Sequence, residues 1–328
     1  MKVLVTGAGA LLGQGIIRSL RTSSLAVKVI AVDPSPLSAG LYWADAAHLV
    51  PLASSPDYLS AIRTILDRER PDAVFIGTDV ELSLLAGCRR QLEADHKTHV
   101  IVSDPAVVAI ADDKWLTYEF LKRHGFDYPR SCLPGAEEQL IEEVGFPLVV
   151  KPRIGARSVG LHIVHDRAGL QKALAAESAP ILQECVGTAD AEFTAGTLTF
   201  GSACVSIVMR RELRDGNTYR AFSDKYGELN KTVQAMAQAL QPYGPANFQF
   251  RLDGGRVKVF EINARFSGTT PLRAHAGFHE VEMTLRRLLL GTPLTQPQVR
   301  PLILLRHWSE TIVESSDCLG PSETKRTQ

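Results

Sequence analysis

Over its first hundred residues the chain alternates short apolar strands with helix-length amphipathic segments, and this alternation restricts the fold more than any other feature. Residues 2–6 (KVLVT) are a short apolar run, followed by a glycine turn and a helix-period segment over 13–20. Residues 27–32 form a second strand, stopped by Asp33 and Pro34. Residues 58–68 place Leu59, Ile62, Ile65 and Leu66 on one helical face. A strand over 73–76, a helix over 80–92 and a strand over 99–102 continue the series. Continuous apolar strands separated by helices predict a parallel sheet covered on both faces.

The pattern changes after about residue 105. A helix is expected over 114–122, carrying Trp115, Leu116, Tyr118 and Leu121. Residues 147–151 (PLVVK) and 161–164 (LHIV) read as two short strands around a glycine-containing turn. Residues 191–210 are rich in β-formers, and 246–263 read as a hairpin with Asp253-Gly254-Gly255 at its tip. Antiparallel runs with few helices indicate an α+β part. A helix over 280–290, stopped by Gly291 and Pro293, closes it, and residues 311–328 read as a disordered polar tail. The fold class is therefore α/β plus α+β, with a Rossmann-like domain over 1–105 and two further subdomains over 106–182 and 183–310.

The 328 residues are enough for about two domains. Lys and Arg number 36, as do Asp and Glu, and this balance argues against a nucleic-acid binder with its usual basic excess. No apolar stretch is long enough to cross a membrane as a helix. Five cysteines without a CxxC pair read as reduced thiols of a cytoplasmic protein, and Cys185 as a small core residue rather than a nucleophile.

The glycine turn VTGAGALLGQG carries Gly7, Gly9, Gly13 and Gly15, and Asp33 ends the second strand where a ribose-binding acid of a dinucleotide site would sit. That leaves a nicotinamide-dependent oxidoreductase as one alternative. The other reading of the same residues is a tight strand-to-helix turn with close packing.

Four later segments carry phosphate and metal chemistry. Asp112-Asp113-Lys114 opens a helix. Lys151 ends a buried strand, where an uncompensated cation is costly, and Gly155, Ser158 and Gly160 follow it between Arg153, Arg157 and the next strand. The backbone N–H groups of such a loop can close over a polyphosphate. Gln183-Glu184-Cys185-Val186 precedes Glu192. Finally, Glu261 and Asn263 are two apart on a strand and share a face, Gln249 lies on the other arm of the hairpin, and Arg265 continues that face. Phe260 and Ile262 are expected on the opposite face. Three oxygen donors, one of them clearly anionic, suit Mg²⁺ shared with substrate phosphates.

This ordered set resembles the ATP-grasp superfamily, most closely the carbamoyl-phosphate synthetase large-subunit-like ligases, over nearly the whole chain. The resemblance implies a pre-ATP-grasp domain that does not bind NAD, followed by two subdomains that grip ATP. It implies that Lys114 and Lys151 contact the nucleotide, with Arg153 and Ser158 beside the phosphates. Gln183, Glu184, Cys185 and Val186 would read adenine, with Glu184 near the exocyclic amine, and Glu192 would hold the ribose. Gln249, Glu261 and Asn263 would bind Mg²⁺, for which Mn²⁺ can substitute, and Arg265 would bind phosphate.

The expected activity is ADP-forming carboxylate–amine ligation through an acylphosphate, on small-molecule carboxylate and amine substrates, with no nucleic-acid or membrane partner. Family members often dimerise, so the resemblance extends to a homodimer. Arg210, Arg211, Tyr219 and Arg220 on a charged hairpin, and Arg273 after the metal strand, are candidates for the substrate carboxylate; a solvated charged hairpin is the alternative. Nucleotide binding without ligation, and a kinase that stops at the phosphorylated product, stay open beside the ligase.

Overall fold

A computed structural model describes residues 1–155, 159–320 and 324–326. Its first sheet is built from β1 (Lys2–Val5), β2 (Lys28–Asp33), β3 (Ala46–Leu49), β4 (Ala73–Phe75) and β5 (His99–Ile101), all parallel, in the order β3-β2-β1-β4-β5. The helices α1 (Leu11–Arg21), α2 (Ala39–Tyr42), α3 (Tyr58–Glu69) and α4 (Leu82–His96) connect them. Alternate residues supply two cores, as strand pleating requires. Val3, Val5, Val29 and Ala31 join Ile16 and Ile17 of α1, whereas Leu4, Ile30 and Val32 join Ile62 and Leu66 of α3.

After α5 (Pro105–Asp112) and α6 (Lys114–Arg123), a small antiparallel sheet forms from β6 (Ser131–Cys132), β7 (Leu148–Pro152), β8 (His162–Val164) and β9 (Pro180–Glu184). Helices α7 (Glu137–Val144) and α8 (Arg167–Ala176) cover one face of it, packing on Leu148, Val150 and Leu182. The intervening residues Val149, Lys151 and Gln183 line the cleft on the other face.

The third sheet is antiparallel and six-stranded. It contains β10 (Glu192–Phe200), β11 (Ala203–Arg214), β12 (Asn217–Ser223), β13 (Gly244–Asp253), β14 (Arg256–Asn263) and β15 (Leu302–Leu305), in the order β14-β13-β10-β11-β12-β15. Helix α9 (Gly227–Leu240) packs Val233, Met236 and Ala237 onto Phe193, Val208 and Phe248. Residues of the opposite parity, including Glu192, Arg211, Gln249 and Glu261, line the cleft.

Short α10 (Thr270–His275) leads into α11 (Glu280–Leu289). The sequence pattern assigns α11 to the α+β part, but Val281 and Leu285 enter the core of the first sheet with Ile16. Glu282 ties it there by accepting from Ser23 Oγ at 2.9 Å and Ser24 Oγ at 2.7 Å. Burial pushes the Glu282 carboxyl up, yet hydrogen bonds from Ser24, Arg286 and Ser23 outweigh it and hold the group at about 2.

The tail departs from the expected disorder. Trp43 Nε1 donates to Thr311 Oγ1 at 2.9 Å, Leu319 is buried in the first core, and β16 (Thr324–Arg326) pairs antiparallel with β3. One apolar side chain with a waiting core is enough to anchor a polar segment. No helix among the described residues is long and apolar enough to cross a membrane.

Candidate active site

The glycine turn closes on its own chain. Gly9 N–H donates to Asp33 Oδ2 at 2.7 Å, and Asp33 Oδ1 accepts from Ser35 N at 3.0 Å and Ser38 Oγ at 2.6 Å. A Cβ on Gly9 would lie 2.2 Å from Ser38 Oγ, and one on Gly13 would lie 2.2 Å from the Gly7 carbonyl oxygen. The groups that a dinucleotide would use are therefore spent internally. Close packing accounts for these glycines, and the nicotinamide alternative loses the residues it rested on.

A cavity of about 250 Å³ lies between the second and third sheets. Lys114, Lys151, Gln183, Glu184, Cys185, Val186, Glu192, Gln249 and Glu261 all line it. Lys151 is buried and donates to Gln183 Oε1 at 2.9 Å and to the Phe260 carbonyl at 3.3 Å. Gln183 is held in turn by donating to Ser131 Oγ at 2.9 Å. Burial lowers the Lys151 ammonium to about 7, and the neighbouring Lys114 acts in the same direction. Lys114 Nζ donates to the Gly155 carbonyl at 2.9 Å, and Lys151 lies on the strand that leads to that glycine.

Arg153 departs from its expected place. It forks onto Asp113, with Nε at 3.1 Å from Oδ1, and does not line the cavity. Burial raises the Asp113 carboxyl, but Arg153 and the Trp115 N–H that it caps outweigh this and hold it below the usual range. Arg153 thus anchors the start of α6, which presents Lys114. Ser158 and Arg157 lie outside the described residues.

The acids expected at adenine and ribose, Glu184 and Glu192, are also more committed than expected. Glu184 Oε1 meets Lys258 Nζ at 2.8 Å, and its Oε2 accepts from Arg130 N at 2.9 Å. Its carboxylate is therefore already paired, which leaves the backbone of 184–186 as the simpler reader of a base. Glu192 is clamped by two arginines: Arg211 at 2.8 and 3.1 Å on one oxygen, Arg251 at 2.9 and 3.0 Å on the other. A ribose hydroxyl at this carboxylate would share it with both.

The residues expected to bind a metal meet as the hairpin register dictates. Gln249 pairs with Glu261 and Asn247 with Asn263 across β13 and β14. Glu261 Oε1 accepts from Gln249 Nε2 at 3.1 Å and from Asn263 Nδ2 at 3.0 Å. The amide oxygens face arginines: Gln249 Oε1 accepts from Arg211 at 2.6 Å and Asn263 Oδ1 from Arg265 at 3.0 Å. One carboxylate with two amide donors on one face fits a hard cation that takes its remaining ligands from phosphate and water. A register shift after Gln249 sets Phe250 opposite Val259 and leaves Phe260 as an extra residue. This bulge turns Phe260 into the cleft beside Glu261, against the strict alternation expected for it. The Lys151 ammonium lies 5.5 Å from the centre of its ring.

A smaller cavity of about 100 Å³ adjoins the first, sharing Arg211, Gly216, Gln249 and Glu261 with it. Leu11, Leu12 and Asp79 from the first domain, Asn217 and Thr218 at the start of β12, Arg265, the Ser267-Gly268-Thr269 turn and Arg306 enclose it. Arg265 reaches across to Asp79, with Nε at 2.6 Å from Oδ1.

Of the candidates for the substrate carboxylate, Arg211 alone lines these cavities. Arg210 stacks on Phe222 at 3.9 Å, Arg220 pairs with Glu212 at 3.0 Å, and Tyr219 packs against Arg214 and Arg220. On a strand, 210 and 220 face away from 211, so a run of arginines splits between two faces. Arg273 is fully buried, paired with Glu280 at 3.1 Å and bonded to Asn247, and lines neither cavity. It fills the space left by Gly196, where a Cβ would lie 2.4 Å from its Nη1. Sequence reasoning missed Arg251, Phe260, Asp79 and Arg306. The period-2 series Asn247, Gln249, Arg251 signals Arg251, whereas Asp79 and Arg306 carry no local signal.

Three family models match parts of the chain. Residues 3–101 match the model for the PylC-like N-terminal domain, 111–233 the RimK-like ATP-grasp domain, and 188–310 the ATP-grasp in the biosynthetic pathway with Ter operon. The carbamoyl phosphate synthase large chain of Methanosarcina acetivorans is 23% identical over 329 residues, covering 90% of this chain and 30% of that protein. This chain therefore spans under a third of the length of that relative. N5-carboxyaminoimidazole synthetase from Staphylococcus aureus, solved with ADP, superposes with a TM-score of 0.72 at 18% identity over 93% of this chain and 81% of that one. L-amino acid ligase from Bacillus licheniformis gives a TM-score of 0.67 at 17% identity over 92% of this chain and 77% of that one.

Proposed function

We propose that the chain is an ATP-grasp protein and a Mg-ATP-dependent ligase that joins a small-molecule carboxylate to an amine through an acylphosphate. The observation that carries this reading is the convergence of Lys114, Lys151, Gln249 and Glu261 in one cleft, with a separate polar cavity opening beside Glu261. The ADP complex of the Staphylococcus aureus synthetase supports a nucleotide in the larger cavity. The amino acid ligase supports carboxylate–amine chemistry on this fold.

In this mechanism a substrate carboxylate oxygen attacks the γ-phosphorus, the bond to the β-phosphate oxygen breaks, and ADP leaves. An amine nitrogen then attacks the acyl carbon, the C–O bond to phosphate breaks, and the nitrogen loses a proton. No base is needed for the first step, because carboxylates are ionised at neutral pH. Lys151 and Lys114 meet the charge on the phosphates and Arg265 the developing charge near the acceptor, as preorganised electrostatics requires. Gln249, Glu261 and Asn263 would hold Mg²⁺, which would supply charge neutralisation to the phosphate groups. Gly155 and Val159 line the larger cavity with both lysines, where closure of their loop would keep water from the acylphosphate.

Mg-ATP-dependent phosphate release with pooled amino acids and small carboxylates tests the proposal, with Glu261→Ala in parallel. Release that needs both a carboxylate and an amine and vanishes in the variant is expected. A stable phosphorylated product without amine would make the protein a kinase instead. Thermal stabilisation by NAD but not by Mg-ATP would overturn the ligase reading.

A further inference from the structure

Two of the three arginines along the smaller cavity have a carboxylate partner. Arg211 is satisfied by Glu192 and Arg265 by Asp79, while Glu261 holds two amide groups on the metal strand. Arg306, just beyond β15, differs. Its backbone N–H donates to the Tyr219 carbonyl at 3.0 Å and its Nη2 to the Gly268 carbonyl, which fixes the guanidinium at the cavity wall. Among the described residues no carboxylate lies within ion-pair reach of it, and the charge that acts on it is another cation, Arg18 of α1. A half-buried guanidinium without a counter-charge is costly, and an anionic ligand removes that cost.

The rest of the lining specifies the ligand's character. Leu11 and Leu12 are the cavity's large apolar residues; Asn217, Thr218, Ser267 and Thr269 offer neutral hydrogen-bonding groups. At about 100 Å³ the space suits a compact polar molecule. Four N–H groups of Arg306 besides the one engaged with Gly268 can grip an anion in fork geometry.

We propose that the acceptor carries a second anionic group, a carboxylate or a phosphate, which docks on Arg306 while its reacting carboxylate faces Glu261 and Arg265. The substrate class is thus a small dianionic acid rather than a simple monocarboxylate. This rests on the ligase reading above. It goes beyond that reading by assigning Arg306 a specificity role.

Calorimetric titration of the full chain with Mg-ADP present tests it, using succinate, phosphoglycolate and the monoanion propionate as probes. The expected result is that succinate or phosphoglycolate binds at least about tenfold more tightly than propionate. Whichever of the two binds tighter identifies carboxylate or phosphate as the docked group. Arg306→Gln should abolish the preference and Arg306→Lys should keep part of it. Equal binding of propionate, no binding of either dianion, or an unchanged preference in Arg306→Gln overturns the proposal. The wild-type preference reads out even if a variant fails to fold. Thermal stabilisation by Mg-ATP, followed separately, distinguishes the two failures. If it persists while the dianion preference is absent, only this inference falls. If it is absent while the dianions bind through Arg306, the ligase reading falls and an anion site stands.

Discussion

The two adjoining cavities are built in opposite ways. The larger one is lined by residues brought together by strand register within two sheets, and its carboxylates are already paired, Glu184 with Lys258 and Glu192 with two arginines, while Lys151 donates to the neutral Gln183. The smaller one is assembled from chain segments near residues 11, 79, 217, 267 and 306, and it leaves Arg306 without an acid. A preorganised site suits a partner whose chemistry does not vary, because the dipoles need not reorganise when it binds. A seam between domains can change one segment at a time, and a substrate pocket profits from that freedom.

The largest effect should come from the buried support behind both cavities. Arg273→Ala leaves Glu280 fully buried without its cation, and about 3–5 kcal/mol of stability should be lost. Denaturant unfolding measures it. A variant that folds with normal stability but fails to bind acceptor would return Arg273 to the substrate site.

Next comes Glu261→Ala, where acceptor-dependent ADP formation should fall by about 10²–10³-fold, with the circular dichroism spectrum unchanged. Activity close to wild type would mean that Glu261 holds no metal, and the larger cavity would lose its assigned chemistry.

Lys151 supplies a pH test of the paired cavity. With its pKa at about 7 in the empty cleft, binding of a polyphosphate should raise it again and take up protons. Mg-ATP affinity should therefore weaken as pH rises above 7, by at most about tenfold per unit. Calorimetry in buffers of different ionisation enthalpy detects the uptake directly. The sign for stability is opposite. Between about pH 7 and the ordinary lysine value the unfolded chain binds more protons at this residue than the folded one, so its contribution to stability rises with pH across that window. An affinity that strengthens with pH would contradict this assignment.

The smallest effect separates the cavities. Asp79→Asn frees Arg265 from its partner in the first domain, which should change the KM for acceptor by a few-fold and leave the KM for ATP near its original value. Equal changes in both constants would mean that the two cavities act as one site.

Much of the larger cavity was legible in the sequence because its residues report their neighbours through a fixed period. Glu261 and Asn263 share a face by spacing alone, and a short turn places Gln249 opposite. The glycine turn was legible only as two alternatives; Ser38 standing over Gly9 decides between them, and it lies 29 residues away. Phe260 was assigned to the wrong face because a bulge is an exception to the period that carries the inference. The arginines near residue 210 were read as one group, yet pleating sends Arg210 and Arg211 to opposite sides of the sheet.

By itself the sequence determined the strand–helix alternation, the change to antiparallel strands after it and the order of the segments expected to carry phosphate and metal chemistry. All of these depend on residues a few positions apart, where backbone geometry dictates which side chains meet. Tertiary structure alone decided that Arg153 serves Asp113, that α11 packs on the first domain, that the tail returns to β3, and that Arg306 faces a cavity next to Leu11. Those outcomes depend on which charges and apolar faces remain unmatched after the local elements have formed. Such a balance is struck between segments up to 300 residues apart and leaves no period in the chain.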